Sequence, residues 1–220
     1  MRKSLVVGTA AVLPLLAGCF DLNQSLEVGA DGQAVMRMEM AMDSSVLALA
    51  GANQEDPFTF CDEEEMTDVP EGVTVEVERS TSDTDEVCVV TATGPIETIA
   101  VAMANGGFAP QTEETAGASE VTMTDEGDGV YAFDMRLDAG EAMGEAGGEG
   151  AEMEAAMMQM MLQFTAGRTL QWSITAPEII ETTGALSDDG KTASYSVALS
   201  DLLTMPEGDY SFFVRFDTTP

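Results

Sequence analysis

The sequence predicts an α+β fold, in which an antiparallel sheet built from β-hairpins carries a few helices packed on one face. Two observations support this class. Short segments of alternating apolar and polar residues flank glycine-containing turns, and segments with helical character lie between them. The chain has 220 residues, of which 45% are hydrophobic, and this is enough to bury a sizeable core. We therefore expect residues 19–220 to form a single domain.

Three hairpins account for most of the predicted sheet. Asp and Gly occupy their turns because both tolerate the left-handed backbone that tight hairpins need. The last strand is expected at residues 210–216, with Phe212, Val214 and Phe216 sharing one face. Written as strand, turn and strand, the hairpins are 22–28, 30–32 and 34–42; 121–124, 127–129 and 130–137; and 179–180, 187–191 and 193–199.

Three helices and one loop are predicted between the hairpins. The helices are expected at residues 44–50, 95–104 and 151–164, and Pro95 suits a first helical turn because its missing N–H is not needed there. Residues 139–150 are dominated by Gly, Ala and Glu and lack apolar periodicity. This composition predicts a mobile acidic loop.

The N-terminal segment has the features of a secretion signal. Arg2 and Lys3 precede an apolar run of 12 residues, which falls short of the ~20 residues that a membrane-spanning helix needs. The run ends in Leu16-Ala17-Gly18-Cys19. This pattern resembles the lipobox of bacterial lipoproteins, which implies a signal peptide at residues 1–18 and palmitate-type acyl chains on Cys19.

Lipidation at Cys19 predicts a membrane-anchored protein of the bacterial cell envelope, with residues 19–220 facing the periplasm or the exterior. Two or more acyl chains hold a protein at a membrane almost permanently, at ~0.8 kcal/mol per buried CH₂. Phe20 stands where an inner-membrane retention signal of many enterobacterial lipoproteins has Asp. Because this sorting rule differs between bacterial groups, both the inner and the outer membrane remain open.

The charge balance excludes nucleic acid as a partner. The chain has 40 acidic and 8 basic residues, and removal of the signal peptide would take away two of the basic ones. Binding of phosphate backbones needs clustered Lys and Arg, whereas the basic residues here are scattered singly. We interpret the acidic surface as a source of solubility.

A late stretch, Trp172 to Gly184, contains a strand, Pro177, a second strand and Thr183-Gly184, followed by an Asp-Gly-Lys turn. Together with the early Leu26-Glu27-Val28 strand and Asp31-Gly32, it resembles the LppM-type family of bacterial lipoproteins. Thr183-Gly184 stands where that family usually has Asn-Gly. The resemblance implies a mixed α+β envelope domain with suggested roles in envelope lipid biology, and it supplies no catalytic residues.

Cys61 and Cys88 are expected to form a disulfide, because an exported chain folds in an oxidising compartment. A metal or redox site would need CxxC spacing or nearby His, and the chain has no His. The same absence removes Ser–His, Cys–His and His-zinc mechanisms. We therefore predict a protein that is not an enzyme and needs no cofactor.

Methionine suggests two binding hypotheses. Met153, Met157, Met160, Met161 and Phe164 share one face of the predicted third helix, where flexible thioether side chains suit acyl chains or protein partners. Met36, Met38, Met40 and Met42 share one strand face, and soft sulfurs of this kind bind Cu(I). The same spacings are also those of a buried strand and of a buried amphipathic helix, in which these methionines would belong to the core.

The sequence thus predicts a lipid-anchored, noncatalytic envelope lipoprotein that binds envelope lipid or protein partners or assists their assembly. The alternative is a periplasmic Cu(I)-binding protein.

Overall fold

The computed structural model describes residues 20–44, 61, 69–82, 85–104, 119–137, 159, 162–163, 165–205 and 210–219. Over these residues the chain is mostly β, so the α+β prediction holds only in part. The elements are β1 Phe20–Val28, β2 Gln33–Asp43, β3 Thr74–Thr81, β4 Asp85–Pro95, α1 Ile96–Ala104, β5 Ser119–Gly127, β6 Val130–Leu137, β7 Thr169–Thr175, β8 Glu178–Thr182, β9 Ala185–Leu186, β10 Thr192–Ala198, α2 Leu199–Thr204 and β11 Tyr210–Asp217.

The strands form two sheets. A seven-stranded sheet has the order β3-β4-β2-β1-β7-β10-β9, and a four-stranded sheet has the order β5-β6-β11-β8. The expectation of an antiparallel sheet is wrong for one pair, because β1 and β7 run parallel, with Leu22 opposite Leu170 and Leu26 opposite Ile174. This pairing is not local, because no hairpin turn joins the two strands. A short segment of the sequence therefore cannot predict it.

The first two predicted hairpins are confirmed. β1 and β2 pair antiparallel with Leu26 opposite Met36, and Gly32 in their turn has a φ of 75°. β5 and β6 pair antiparallel around Gly127, Asp128 and Gly129, which all have positive φ. Asp128 adopts this conformation at 55°, as the turn chemistry predicts.

The third predicted hairpin is wrong. Ile179 lies in β8, which belongs to the four-stranded sheet and pairs with β11, opposite Phe216. β10 instead pairs with β7 and with the two-residue strand β9, where Ala193 lies opposite Leu186. The chain therefore changes sheet between β8 and β9, and the alternating pattern carries no mark of that change.

Thr182, Thr183 and Gly184 build the corner between the sheets. The Thr183 N–H donates to the Phe213 carbonyl, and the Phe213 N–H donates to Thr183 Oγ1 at 2.9 Å. A Cβ on Gly184 would overlap the Ser194 carbonyl and lie 2.7 Å from Phe212 Cε2. Glycine is required here because the backbone packs directly against its neighbours.

The main core, which we call the first cluster, lies between the two sheets and against α1. Phe212 is fully buried, with its ring 5.7 Å from the stacked ring of Tyr195 and 5.9 Å from the edge-on ring of Phe133. α1 adds Ile96 and Ile99, which are also buried. The face of β11 predicted to be apolar, Phe212, Val214 and Phe216, is confirmed as a core face.

Of the predicted helices, the second is present as α1, but Pro95, which was expected in its first turn, is instead the last residue of β4. The first N–H of α1, on Ile96, donates to the Gly32 carbonyl in the β1–β2 turn. Most of residues 44–50 and 151–164 and all of the predicted loop 139–150 lie outside the described residues. Within the described ranges, no helix is long and apolar enough to cross a membrane.

Candidate functional site

One end of the seven-stranded sheet contains a charged network that joins three strands. Arg168 Nη1 donates to Asp21 Oδ2 at 2.7 Å, and Arg168 Nη2 donates to Asp85 Oδ1 at 2.9 Å. The Thr169 N–H donates to the second Asp21 oxygen at 2.8 Å. β1, β4 and β7 begin at this end, whereas β2 and β10 end there. We call it the clamp end.

The backbone around Arg168 fixes the position of its side chain. Its N–H donates to the Thr165 carbonyl, its own carbonyl accepts from Leu199 N, and Gly167 before it has a φ of 81°. Arg168 is therefore held between the start of β7 and the start of α2. A guanidinium suits this place because its planar fork can serve two carboxylates at once.

The network is partly shielded from water. The exposed fraction of the side chain is 19% for Arg168, 29% for Asp21 and 26% for Asp85. Burial by itself lowers the pKa of Arg168, but hydrogen bonds to Asp85 and Asp21 raise it above its usual value. The charge on Arg168 is consequently permanent, and water and salt screen the two ion pairs less than they screen pairs on an open surface.

The predicted lipidation site, Cys19, lies outside the described residues but directly precedes the first residue of β1. β1 is the middle strand of the seven, with β2 on one side and β7 on the other. The predicted anchor point therefore borders the clamp end without an intervening linker.

The predicted disulfide is present. Cys61 and Cys88 are bonded, with their Cα atoms 6.1 Å apart and both residues buried. Cys88 lies on β4 and faces the same side of the sheet as Met40, its partner on β2. The bridge belongs to a second buried cluster, which we call the sulfur cluster: Met38, Met42, Cys61, Cys88 and Val90.

The strand methionines lie on one face, as predicted. Met36, Met38 and Met42 are at most 7% exposed, and Met40 is partly buried. Their cross-strand partners on β4 include Val90 and Ala92, which are fully buried. This arrangement is that of a packed core face. In the described part of the chain, no group of three or more His, Cys, Asp or Glu side chains is placed to hold a metal.

The second methionine set, Met153, Met157, Met160, Met161 and Phe164, lies outside the described residues. The acidic loop before it does too. The binding hypothesis for these residues stays a prediction.

The network of Arg168, Asp21 and Asp85, which we call the clamp, was not predicted from the sequence. Asp21 and Asp85 lie 147 and 83 residues before Arg168, and no local pattern connects them. One signal was available: Arg168 is one of 8 basic residues among 40 acidic ones, and it stands immediately before an alternating strand. Such a cation is expected to pair with carboxylates, but the identity of its partners depends on the non-local pairing of β1 with β7.

Comparison with known proteins gives a distant structural likeness. No family model matches the chain, and no curated protein matches its sequence. A solved structure similar to this chain is the NMR structure of the Mycobacterium tuberculosis LppM folded domain. The two chains are 11% identical, the match covers 92% of this chain and 91% of that chain, and the TM-score is 0.48. Membership of the LppM-type family stays a prediction.

Proposed function

We propose that this protein is a lipid-anchored, noncatalytic component of the bacterial cell envelope that binds envelope lipids or proteins or assists their assembly. One observation carries the proposal: the lipobox-like Leu16-Ala17-Gly18-Cys19 runs directly into the middle strand of the main sheet. An acyl group on Cys19 would therefore hold a folded domain at the membrane rather than a loose tail.

The chemistry of the described polar groups supports a noncatalytic role. The sequence contains no His, and the carboxylates of Asp21 and Asp85 are engaged by Arg168. A general base needs an oxygen or nitrogen that is free to accept a proton from the substrate, and both carboxylates already accept hydrogen bonds from Arg168. We infer that the clamp serves to hold strands together.

Copper binding has weaker support than core packing. Cu(I) coordination requires several thioether sulfurs to converge on one point and to exchange with solvent. Met38 and Met42 are instead buried beside Val90 and the disulfide, where apolar contacts surround their side chains. We therefore assign these methionines to packing, where their flexible side chains fill irregular space.

Native mass spectrometry of the protein extracted from membranes tests the proposal. We expect a chain that begins at Cys19, carries acyl groups and retains the Cys61–Cys88 bridge. A co-purified lipid or protein would identify the partner. A chain that keeps residues 1–18, or that lacks acyl groups, would contradict the proposal.

The three cysteines provide matched controls. Cys19→Ser should abolish acylation and release the protein from membranes, whereas Cys61→Ser should leave acylation and membrane association intact and remove only the bridge. Equal loss of membrane association in both variants would point to misfolding instead of a lost anchor.

A further inference from the structure

We propose that the clamp end of the seven-stranded sheet rests against the phospholipid headgroup layer, with the strands standing on the membrane. This inference deepens the proposed function and rests on acylation of Cys19. The surface concerned comprises the starts of β1, β4 and β7, the ends of β2 and β10, and α2.

The first argument is the length of the tether. The acyl groups of a lipidated Cys19 would enter the hydrocarbon, which leaves its backbone at the level of the headgroups. The polar layer of one leaflet is about 5–8 Å thick. Each extended residue advances the chain by at most about 3.6 Å, so Phe20 and Asp21 would lie within this layer or at its outer border.

The second argument is that the start of β1 is held rigidly. The pairing of β1 with β2 begins at Phe20, opposite Met42, and its pairing with β7 begins at Leu22. Asp21 is additionally held by Arg168 and by the Thr169 N–H. Because strand pairing on both sides and the clamp restrain this segment, the sheet cannot swing freely about the anchor.

The third argument concerns the apolar side chain that this end presents. α2 follows β10 at the clamp end, and the Leu199 N–H donates to the Arg168 carbonyl. Met205, which caps α2, is 54% exposed. The Tyr210 hydroxyl contacts the carbonyls of Asp201 and Met205, both at 3.0 Å, and so ties α2 to the four-stranded sheet. A flexible thioether at this position suits contact with a lipid surface.

The fourth argument is the distribution of charge. The opposite end of the sheet, which we call the turn end, contains the turns 29–32, 70–73 and 187–191. These turns carry Asp31, Glu71, Asp188 and Asp189. Anionic lipids repel such groups within a Debye length of about 8 Å. Lys191 is the one cation in these turns, and it lies next to Asp188 and Asp189. At the clamp end, Arg168 neutralises Asp21, the carboxylate nearest to the anchor point, together with Asp85.

Hydrogen–deuterium exchange on the acylated protein in phosphatidylcholine–phosphatidylglycerol vesicles tests the orientation. The comparison protein carries an insertion of about ten Gly and Ser residues between Cys19 and Phe20, which can reach up to roughly 35 Å. We expect severalfold slower exchange at Ser82 and at residues 199–205 in the protein without the insertion. Exchange at turns 29–32 and 187–191 should be the same in both.

The mass of each sample separates the two levels of inference. If Cys19 carries no acyl group, the proposed function fails and the orientation fails with it. If both proteins are acylated and exchange at the clamp end is equal, only the orientation is overturned. Slower exchange at the turn end would overturn it as well.

Discussion

The two halves of the seven-stranded sheet are stabilised by different chemistry. On β7 and β10, the inner face meets the four-stranded sheet through aromatic rings, with Tyr195 between Trp172 and Phe212. On β2 and β4, the same face carries the sulfur cluster, in which thioethers surround a disulfide. Both halves are buried, but only the first is built from rigid rings in defined geometries.

This difference predicts how each half responds to substitution. Aromatic rings that interlock with their neighbours leave a cavity when they are removed, because the surrounding groups cannot collapse into the space. Thioether side chains adapt to changes in the shape of the core. The disulfide restricts the conformations of the unfolded chain, and this effect does not depend on the packing around it. The first half should therefore depend on individual side chains, and the second on the cross-link.

The largest effect is expected for Phe212→Ala. Phe212 is fully buried and contacts Tyr195 and Phe133, so the substitution should cost about 3–5 kcal/mol of unfolding free energy. Urea denaturation of both proteins measures this. The matched control is Phe213→Ala, on the other, partly exposed face of β11, which should cost clearly less. Equal costs would contradict the assignment of the core face.

Removal of the disulfide should have the next largest effect. The bridge closes a loop with a sequence separation of 27, and the double substitution C61S/C88S should cost about 3–4 kcal/mol. Denaturation with and without a reductant checks this value. Reduction should destabilise the wild type by a similar amount and leave the double variant unchanged; an insensitive wild type would be inconsistent with the bridge.

Arg168→Ala should cost about 1–3 kcal/mol. It removes two partly buried ion pairs and leaves Asp21 and Asp85 without their shared cation. Arg168→Lys is the matched control: it keeps the charge but cannot reach both carboxylates through a planar fork, so it should recover part of the loss. If alanine and lysine behave alike, the bidentate geometry contributes nothing.

Gly184→Ala should cost about 1–3 kcal/mol, because the added methyl group overlaps the Ser194 carbonyl and forces the corner between β8 and β9 to move. Thermal unfolding measures the loss. Thr183→Ser, which keeps the hydroxyl that accepts from the Phe213 N–H, should change the midpoint much less. A neutral Gly184→Ala would mean that the two sheets pack less closely at this corner.

The smallest effect is expected for the double substitution M38L/M42L. Leucine conserves volume, so each change should cost less than about 1.5 kcal/mol. Titration with Cu(I) against a competing chelator should give the same result for the variant and the wild type. A stoichiometric Cu(I) site lost on substitution would revive the copper hypothesis and contradict the assignment of these residues to the core.

Local features of the fold were predictable from the sequence. The β1–β2 and β5–β6 hairpins, the presence of a helix that ends at Ala104 and the apolar face of β11 each depend on residues close together in the chain. Turn chemistry and side-chain alternation act within a few residues. They therefore predict a given hairpin or strand whatever fold contains it.

Short-range patterns in the sequence were sufficient to predict the β1–β2 and β5–β6 hairpins, the apolar face of β11 and the pairing of Cys61 with Cys88, because each depends on neighbouring residues or leaves few alternatives. Only the folded structure shows that β1 lies parallel to β7, that β8 belongs to a second sheet, and that Arg168 reaches Asp21 and Asp85. These contacts join segments that are far apart in the chain. They depend on the total apolar surface buried between the two sheets, which cannot be deduced from any single segment.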